Sequence, residues 1–286
     1  MLGRILGRTL VLAVGLFIAV GSFWVYVDLS RAHQPGLVIE LRLLALVCLA
    51  VALVLIVIGE ARRRKPIVIA VDGTAASGKG TLAKRLAAHF GFAHLDSGSL
   101  YRLVALGVLE GGGDPANETD AVAAARAIDP ARRDDPAIRS EDVGKVASQV
   151  AAFASVRACL HDFQRNFIAH PPQGAPGAVL DGRDIGTVIA PNATVKLFVD
   201  AKPEVRAHRR WLELKERGIE RDEAEILAEI LARDKADAER AVSPLKRAAD
   251  AILLDTSDLA IDAAFEAALA LVTPRIETAL KARQGG

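Results

Sequence analysis

Nine consecutive residues, Gly73, Thr74, Ala75, Ala76, Ser77, Gly78, Lys79, Gly80 and Thr81, close an apolar run that begins at Ile67, in the stretch IVIAVDGTAASGKGT. Small side chains in a tight loop let successive backbone N–H groups converge on an anion. A lysine at the end of the loop adds a mobile positive charge, and a helix opening there directs its positive end to the same point. A phosphate chain suits such a loop, so nucleoside triphosphate is the expected ligand of Gly73 through Thr81. The loop departs from the usual pattern at Gly80, which stands where a hydroxyl residue should follow the lysine, with Thr81 one position later. The pattern therefore assigns no direct protein ligand to Mg²⁺, which would ride on phosphates and water, with Thr81 the one candidate hydroxyl.

Three further clusters follow strand-like or helical runs, where an α/β sheet carries its ligands. HLDSGSLYR holds Asp96, Ser97, Tyr101 and Arg102, and LDGRDIGTV holds Asp181, Gly182, Arg183 and Asp184 on a turn. In EAEILAEILARDKADAERAV, residues Ile226, Ile230, Arg233, Asp237 and Arg240 recur at i, i+4, i+7, i+11 and i+14, one face of a helix that is apolar at its start and charged at its end. Such a stripe packs on a core and then aims charge into a cleft; an exposed ladder of ion pairs is the alternative. The preceding RAHRRWLELKERG places Arg206, Arg209, Arg210 and Arg217 on a helix. Arginines there can close over transferring phosphates or serve as surface charge.

From Pro66 onward, short β-like runs alternate with amphipathic stretches, the pattern of an α/β domain with a parallel sheet. Strands are expected at 67–71, 93–95, 178–180, 195–199 and 251–254, which suffices for a doubly wound five-stranded sheet. Helices are expected at 81–90, 99–110, 118–128, 141–151, 156–169, 203–217, 223–242 and 259–272, with Pro274 ending the last one and a frayed tail beyond.

Ahead of this domain, residues 9–27 form a charge-free run of about 19 residues with Trp24 and Tyr26 at its far end, long enough for a transmembrane helix with an aromatic anchor. A second run reaches spanning length over 41–59 by including Leu41, the stem of Arg42 and Gly59. Arg4 and Arg8 precede the first run, and Arg62, Arg63, Arg64 and Lys65 follow the second. Together they predict a membrane hairpin with both ends in the cytoplasm. The expected organisation is thus a membrane anchor over 1–65, with the lipid bilayer as partner, and a cytoplasmic α/β domain over 66–286. A cleaved signal peptide is the rival for the first run, which lacks a small-x-small cleavage site.

The chain of 286 residues carries 36 Lys+Arg against 35 Asp+Glu, a formal net charge of +1. That balance argues against a nucleic-acid polymer as partner, and a monomeric α/β domain is expected. Cys48 and Cys159 lie far apart and suggest neither a disulfide framework nor a metal site.

From about residue 67 to 272 the chain resembles bacterial cytidylate kinases, members of the nucleoside monophosphate kinases. The resemblance is carried by DGTAASGKGT, LDSGSLYR, VASQVAAF with Val156 and Arg157 after it, LDGRDIGTV, RAHRRWLELKERG, and ARDKADAERAVSPL ahead of AADAILLDTS. It implies a P-loop sheet with a helical lid and transfer of the γ-phosphoryl group of ATP to CMP or dCMP, with Mg²⁺. By this resemblance Gly73 to Thr81 hold ATP, Arg102, Arg183 and Arg240 hold phosphate, and Arg233 and Asp237 face the ribose of the acceptor. Ser148, Arg157 and Asp184 would read the cytosine edge, and Ser97 would join them in the acceptor site. Lys79, Arg183, Arg209, Arg210 and Arg240 are the residues expected in catalysis. Cytosine offers an amino donor that suits a carboxylate, and acceptors at N3 and O2 that suit Arg and Ser. Two features depart from the family: the stretch 111–139 is shorter than the β-rich insert usual there, and nothing in the resemblance accounts for residues 1–60. A membrane-held nucleotide sensor without catalysis and a kinase of another small acceptor are the alternatives.

Overall fold

The computed structural model describes residues 46–52, 54 and 66–284. Contacts divide the chain into two units, Met1–Lys65 and Pro66–Gly286. In the second unit, strands β1 (Ile67–Gly73), β2 (Ala93–Asp96), β3 (Gly177–Gly182), β4 (Val195–Asp200) and β5 (Ile252–Asp255) form one sheet in the order β2-β3-β1-β4-β5. Every pairing is parallel. β1 takes the centre because all seven of its residues are buried, as a strand covered on both faces demands.

The helices are α1 (Lys79–Phe90), α2 (Ser97–Glu110), α3 (Glu118–Ala127), α4 (Glu141–Val150), α5 (Ala154–Ala169), α6 (Pro203–Glu216), α7 (Glu223–Glu239) and α8 (Ile261–Gln284). Alternation along β1 sends its residues to two cores. Val68 and Ala70 pack with α2, α4 and α5, while Ile67, Ile69 and Val71 pack with α1 and α8. The pair α6 and α7 has a small core of its own, made by Ala207, Leu214, Ile226 and Ile230 with Trp211 and Leu227 against them. These two helices form the lid.

Several expected boundaries move, each for a local reason. β1 continues through Asp72 and Gly73, because both still pair, Asp72 with Gly182 and Gly73 with Val199. α2 starts at Ser97 with Asp96 as its N-cap, accepting from the Ser99 N–H. α7 stops at Glu239, so Arg240 leaves the helical face expected to carry it and sits on extended backbone just beyond. The stretch 111–139 contains α3 and two short 3₁₀ turns, Pro130–Asp134 and Pro136–Arg139. Pro274 does not end the last helix, which runs through it to Gln284. Proline removes one donor from the ladder, yet Ile276, fully buried, and Ala279 and Leu280 beyond it pack on the second core and hold the continuation in place.

The expectation of a membrane hairpin is corrected. The first proposed span, 9–27, lies outside the described residues. Of the second, 41–59, only residues 46–52 and 54 are described, and they are helical. Among the described residues no helix is long and apolar enough to cross a membrane. The membrane anchor, the bilayer partner and the membrane-tethered localisation are therefore withdrawn.

If the chain beyond Pro274 is packed as described, Ile276→Ala should destabilise the protein by about 2–4 kcal/mol, the usual cost of truncating a buried isoleucine. Urea unfolding measures this directly, and a change near zero would return the segment to a frayed tail.

Candidate active site

The parallel register brings the carboxyl ends of β2, β3 and β1 side by side, with Asp96 opposite Asp181 and Asp72 opposite Gly182. The phosphate loop rises from β1 at Gly73. A Cβ there would stand 1.9 Å from the Val199 carbonyl oxygen, so only glycine lets β1 and β4 approach this closely. The turn into α1 uses positive φ at Gly78, +83°, and at Ala76, +58°. Thr74 Oγ1 donates to Asp200 Oδ1 at 2.7 Å, Ser77 Oγ donates to the Thr74 carbonyl at 3.0 Å, and Lys79 Nζ donates to the same carbonyl at 3.2 Å.

Beneath the loop, the buried Asp72 accepts from the backbone N–H groups of Ile185 at 2.8 Å and Gly186 at 2.7 Å. Burial pushes its carboxyl up to about 6 despite those two bonds. The carboxylate thereby ties the strand that carries the phosphate loop to the turn that carries Arg183 and Asp184. Desolvation, and then the Arg183 guanidinium, lowers Lys79 to about 7.

A cleft of about 1360 Å³ runs from Ala75 and Ala76 past Asp96, Arg102, Arg139, Arg210 and Arg233. A smaller cavity of about 80 Å³ adjoins it, sharing Arg102, Ser148, Arg233, Asp237 and Arg240. Ser97, Arg157, Arg183 and Asp184 complete the set, so all nine residues expected on the acceptor side line this one cavity.

At its back, Arg157 is 2% exposed and bonds Asp184 Oδ2 at 2.6 Å and the Ala151 carbonyl at 3.1 Å. Its guanidinium lies 5.2 Å from the centre of the Tyr101 ring, a cation–π contact. Burial pushes the Tyr101 hydroxyl up to about 12, so it stays a neutral donor. Nearer the cleft, Asp237 accepts from Arg183 Nε at 2.8 Å and from Arg240 at 3.4 Å. Burial works against the Asp237 charge, but Arg183, Arg233 and Arg240 outweigh it and hold its carboxyl below the ordinary range. Arg233 is lowered to about 10, by desolvation first and Arg183 second, and its buried Nε lacks a partner among the described residues. That is a surplus of positive charge waiting for an anion.

Not every expected residue converges. Arg209 turns away from both cavities and donates to the carbonyls of Thr256 at 2.6 Å and Leu259 at 3.1 Å. Arg210 does line the cleft, paired with Glu213 at 2.9 Å. Ser148 is exposed, with its hydroxyl on the Gly144 carbonyl at 3.3 Å. Thr81 is exposed on the first turn of α1.

Other groups of the site carried no sequence signal of their role. Asp72 belongs to a strand, and Arg206 reads as one of several arginines on a helix. Thr256, whose hydroxyl donates to the Ser77 carbonyl at 3.1 Å, lies within AADAILLDTS, where no residue is assigned a role.

A parallel sheet with a phosphate loop at its centre, an anion-seeking acceptor cavity beside it and a two-helix lid defines a P-loop kinase of a small phosphorylated acceptor. Residues 69–274 match the cytidylate kinase family. The chain is 57% identical over 205 residues to the cytidylate kinase of Rhodopseudomonas palustris (strain TIE-1), an alignment spanning 72% of this chain and 95% of that one. It is 58% identical over 205 residues to the cytidylate kinase of Nitrobacter winogradskyi, with the same coverage, and 55% identical over 202 residues to that of Rhodospirillum rubrum, covering 71% and 95%. The chain belongs to the cytidylate kinase family.

With its free-state pKa near 7, Lys79 is largely neutral at pH 8, and a polyanion seated beside it restores the charge. Triphosphate binding at pH 8 should therefore take up close to one proton, and affinity should fall as pH rises above 7. Calorimetry in two buffers of different ionisation enthalpy reads the uptake; identical heats in both would disprove it.

Proposed function

We propose that the chain transfers the γ-phosphoryl group of ATP to CMP or dCMP, giving ADP and CDP or dCDP, through a kinase domain spanning 66–286. Family membership supports the reaction. The observation that carries the base assignment is the Arg157–Asp184 pair closing the back of the acceptor cavity. Arg157 engages only Oδ2 of Asp184, which leaves the other carboxylate oxygen to accept from a cytosine amino group.

In the proposed mechanism Lys79 stands on the phosphates that separate, and Arg183, Arg210 and Arg240 neutralise charge on the transferred group and the acceptor phosphate. Arg102 donates through Nη1 to the carbonyls of Ile138 and Ser140, which leaves its other nitrogens for the acceptor phosphate. In the free site Asp237 holds Arg183 and Arg240 apart from solvent, and an arriving phosphate competes with it for the same guanidinium groups. Arg233 and Asp237 take the ribose side, and Ser97, Ser148, Arg157 and Asp184 the base side. A phosphate monoester is already a competent nucleophile, so the protein supplies position and charge, not a general base.

Mg²⁺ fits the donor set present. Gly80 leaves open the place of a hydroxyl side chain, and a Cβ there would lie 3.5 Å from Asp181 Oδ2. Asp96, beside Asp181 in register, is held above the ordinary carboxylate range by desolvation and then by the Asp181 charge. Two carboxylates facing a phosphate loop suit a cation that keeps most of its water, and Asp96 and Asp181 would hold it. When bound, it supplies neutralisation of the phosphate charge. Among the described residues no cluster of three ligating side chains forms a dedicated cage.

ADP formation with CMP, dCMP, UMP and AMP tests the proposal as a whole. Lys79→Ala should lower turnover by about 10² or more with the fold intact by circular dichroism, and wild-type turnover in that variant would remove Lys79 from the mechanism. The wild-type protein should prefer CMP and dCMP over UMP by at least about tenfold in kcat/KM, since UMP presents a carbonyl to the Asp184 carboxylate. Asp184→Asn should narrow that gap by more than it slows the best acceptor. Equal use of UMP and CMP would sink the base assignment.

A further inference from the structure

Two carbonyls of the phosphate loop point inward and are held by buried donors. Arg206 donates to the Ala75 carbonyl at 3.0 Å, and Thr256 Oγ1 to that of Ser77 at 3.1 Å. Arg206 is 2% exposed and Thr256 3%. In a planar trans peptide the N–H points opposite to the C=O of the same unit. Fixing the Ala75 carbonyl toward Arg206 therefore turns the Ala76 N–H to the other side of the loop, where Ala75 and Ala76 line the cleft. Ala76 holds this direction in the left-handed region, φ +58°, which a residue with a Cβ keeps only when its surroundings enforce it.

The rest of the Arg206 guanidinium is equally committed. Its Nε donates to the Ala201 carbonyl at 2.8 Å, just past β4, and its third nitrogen pairs with Asp234 Oδ2 of α7 at 2.6 Å. One side chain on the first lid helix thus grips the phosphate loop, the end of a core strand and the second lid helix. A lysine, with one nitrogen, cannot hold all three positions.

We propose that Arg206 is a positioning residue for ATP: it acts through the Ala75 carbonyl to aim the Ala76 amide at the phosphates, and through Asp234 it ties the second lid helix to the same peptide plane. This rests on the reading of the loop as the ATP site. None of the three residues Arg206 bonds, Ala75, Ala201 and Asp234, lines the acceptor cavity, so its effect falls on the donor nucleotide.

The test is calorimetric binding of a non-hydrolysable ATP analogue and, separately, of CMP, to the wild-type protein and to Arg206→Met, Arg206→Lys and Asp234→Asn, with thermal melts to confirm folding. Arg206→Met should weaken the analogue about tenfold or more while CMP affinity stays within about twofold, Arg206→Lys should fall between, and Asp234→Asn should weaken the analogue less than Arg206→Met. If Arg206→Met does not fold, Arg206→Lys decides. Analogue affinity unchanged in a folded Arg206 variant, or equal loss for analogue and CMP, would show that Arg206 only braces the fold and overturn the proposal. Wild-type protein that fails to bind the analogue overturns the ATP reading and this inference with it.

Discussion

The site depends on a constraint at the carboxyl end of β1, where the chain is confined between β3 and β4. Gly73 lies against the Val199 carbonyl with no room for a side chain, and Asp72 next to it buries a carboxylate that two backbone N–H groups compensate. An unpaired carboxylate in that place would cost several kcal/mol, so the turn at Ile185 and Gly186 has to come to it. The consequence reaches the chemistry: phosphate loop and acceptor turn start from adjacent strands and are locked by one side chain. Arg183 and Asp184 are positioned by the same group that begins the loop.

Around this frame the cleft separates its charges by depth. At the back, Arg157 and Asp184 are both buried and mutually satisfied, a pair whose worth lies in fixed geometry more than in net stability. Toward the opening, cations from the turn after β3 and from α2, α6 and α7 outnumber carboxylates, and desolvation first, with repulsion from neighbouring guanidinium groups behind it, lowers Arg102, Arg233 and Lys79. A phosphate entering there removes repulsion as well as forming bonds. The base end selects by shape and pairing, while the phosphate end attracts by field.

How much of this was legible in the sequence followed from how local each feature is. The strand cores, the loop of Gly73 to Thr81 and the turn at Arg183 announced themselves through short runs of fixed composition, and the nine acceptor-side residues meet in one cavity, Ser97, Arg183 and Asp184 from strand ends and the other six from the helices around them or, for Arg240, from just past one. Helix ends were less legible. Arg240 falls past the end of α7, and the chain beyond Pro274 stays helical because buried contacts at Ile276 outweigh a missing hydrogen bond, a tertiary effect without local signature. Arg206 and Arg209 show the same limit: neighbours in an arginine-rich helix, one holds the Ala75 carbonyl of the loop and the other holds Thr256, which in turn bonds the Ser77 carbonyl. The apolar runs ahead of Pro66 satisfied a length criterion for membrane spans, yet among the described residues no helix is long and apolar enough to cross a membrane.

The small core of the lid has an optical consequence. Of the two tryptophans in the chain, Trp24 and Trp211, only Trp211 lies among the described residues, packed against Leu214, Ile226 and Ile230. His208 stacks on its ring at 5.7 Å, and Lys215 sits over it at 4.7 Å. An indole so placed between a histidine and an ammonium group has an emission sensitive to small changes in their distance. The lid thus carries its own fluorophore, and a truncated protein beginning at Pro66 would report any rearrangement of α6 against α7 without an attached label.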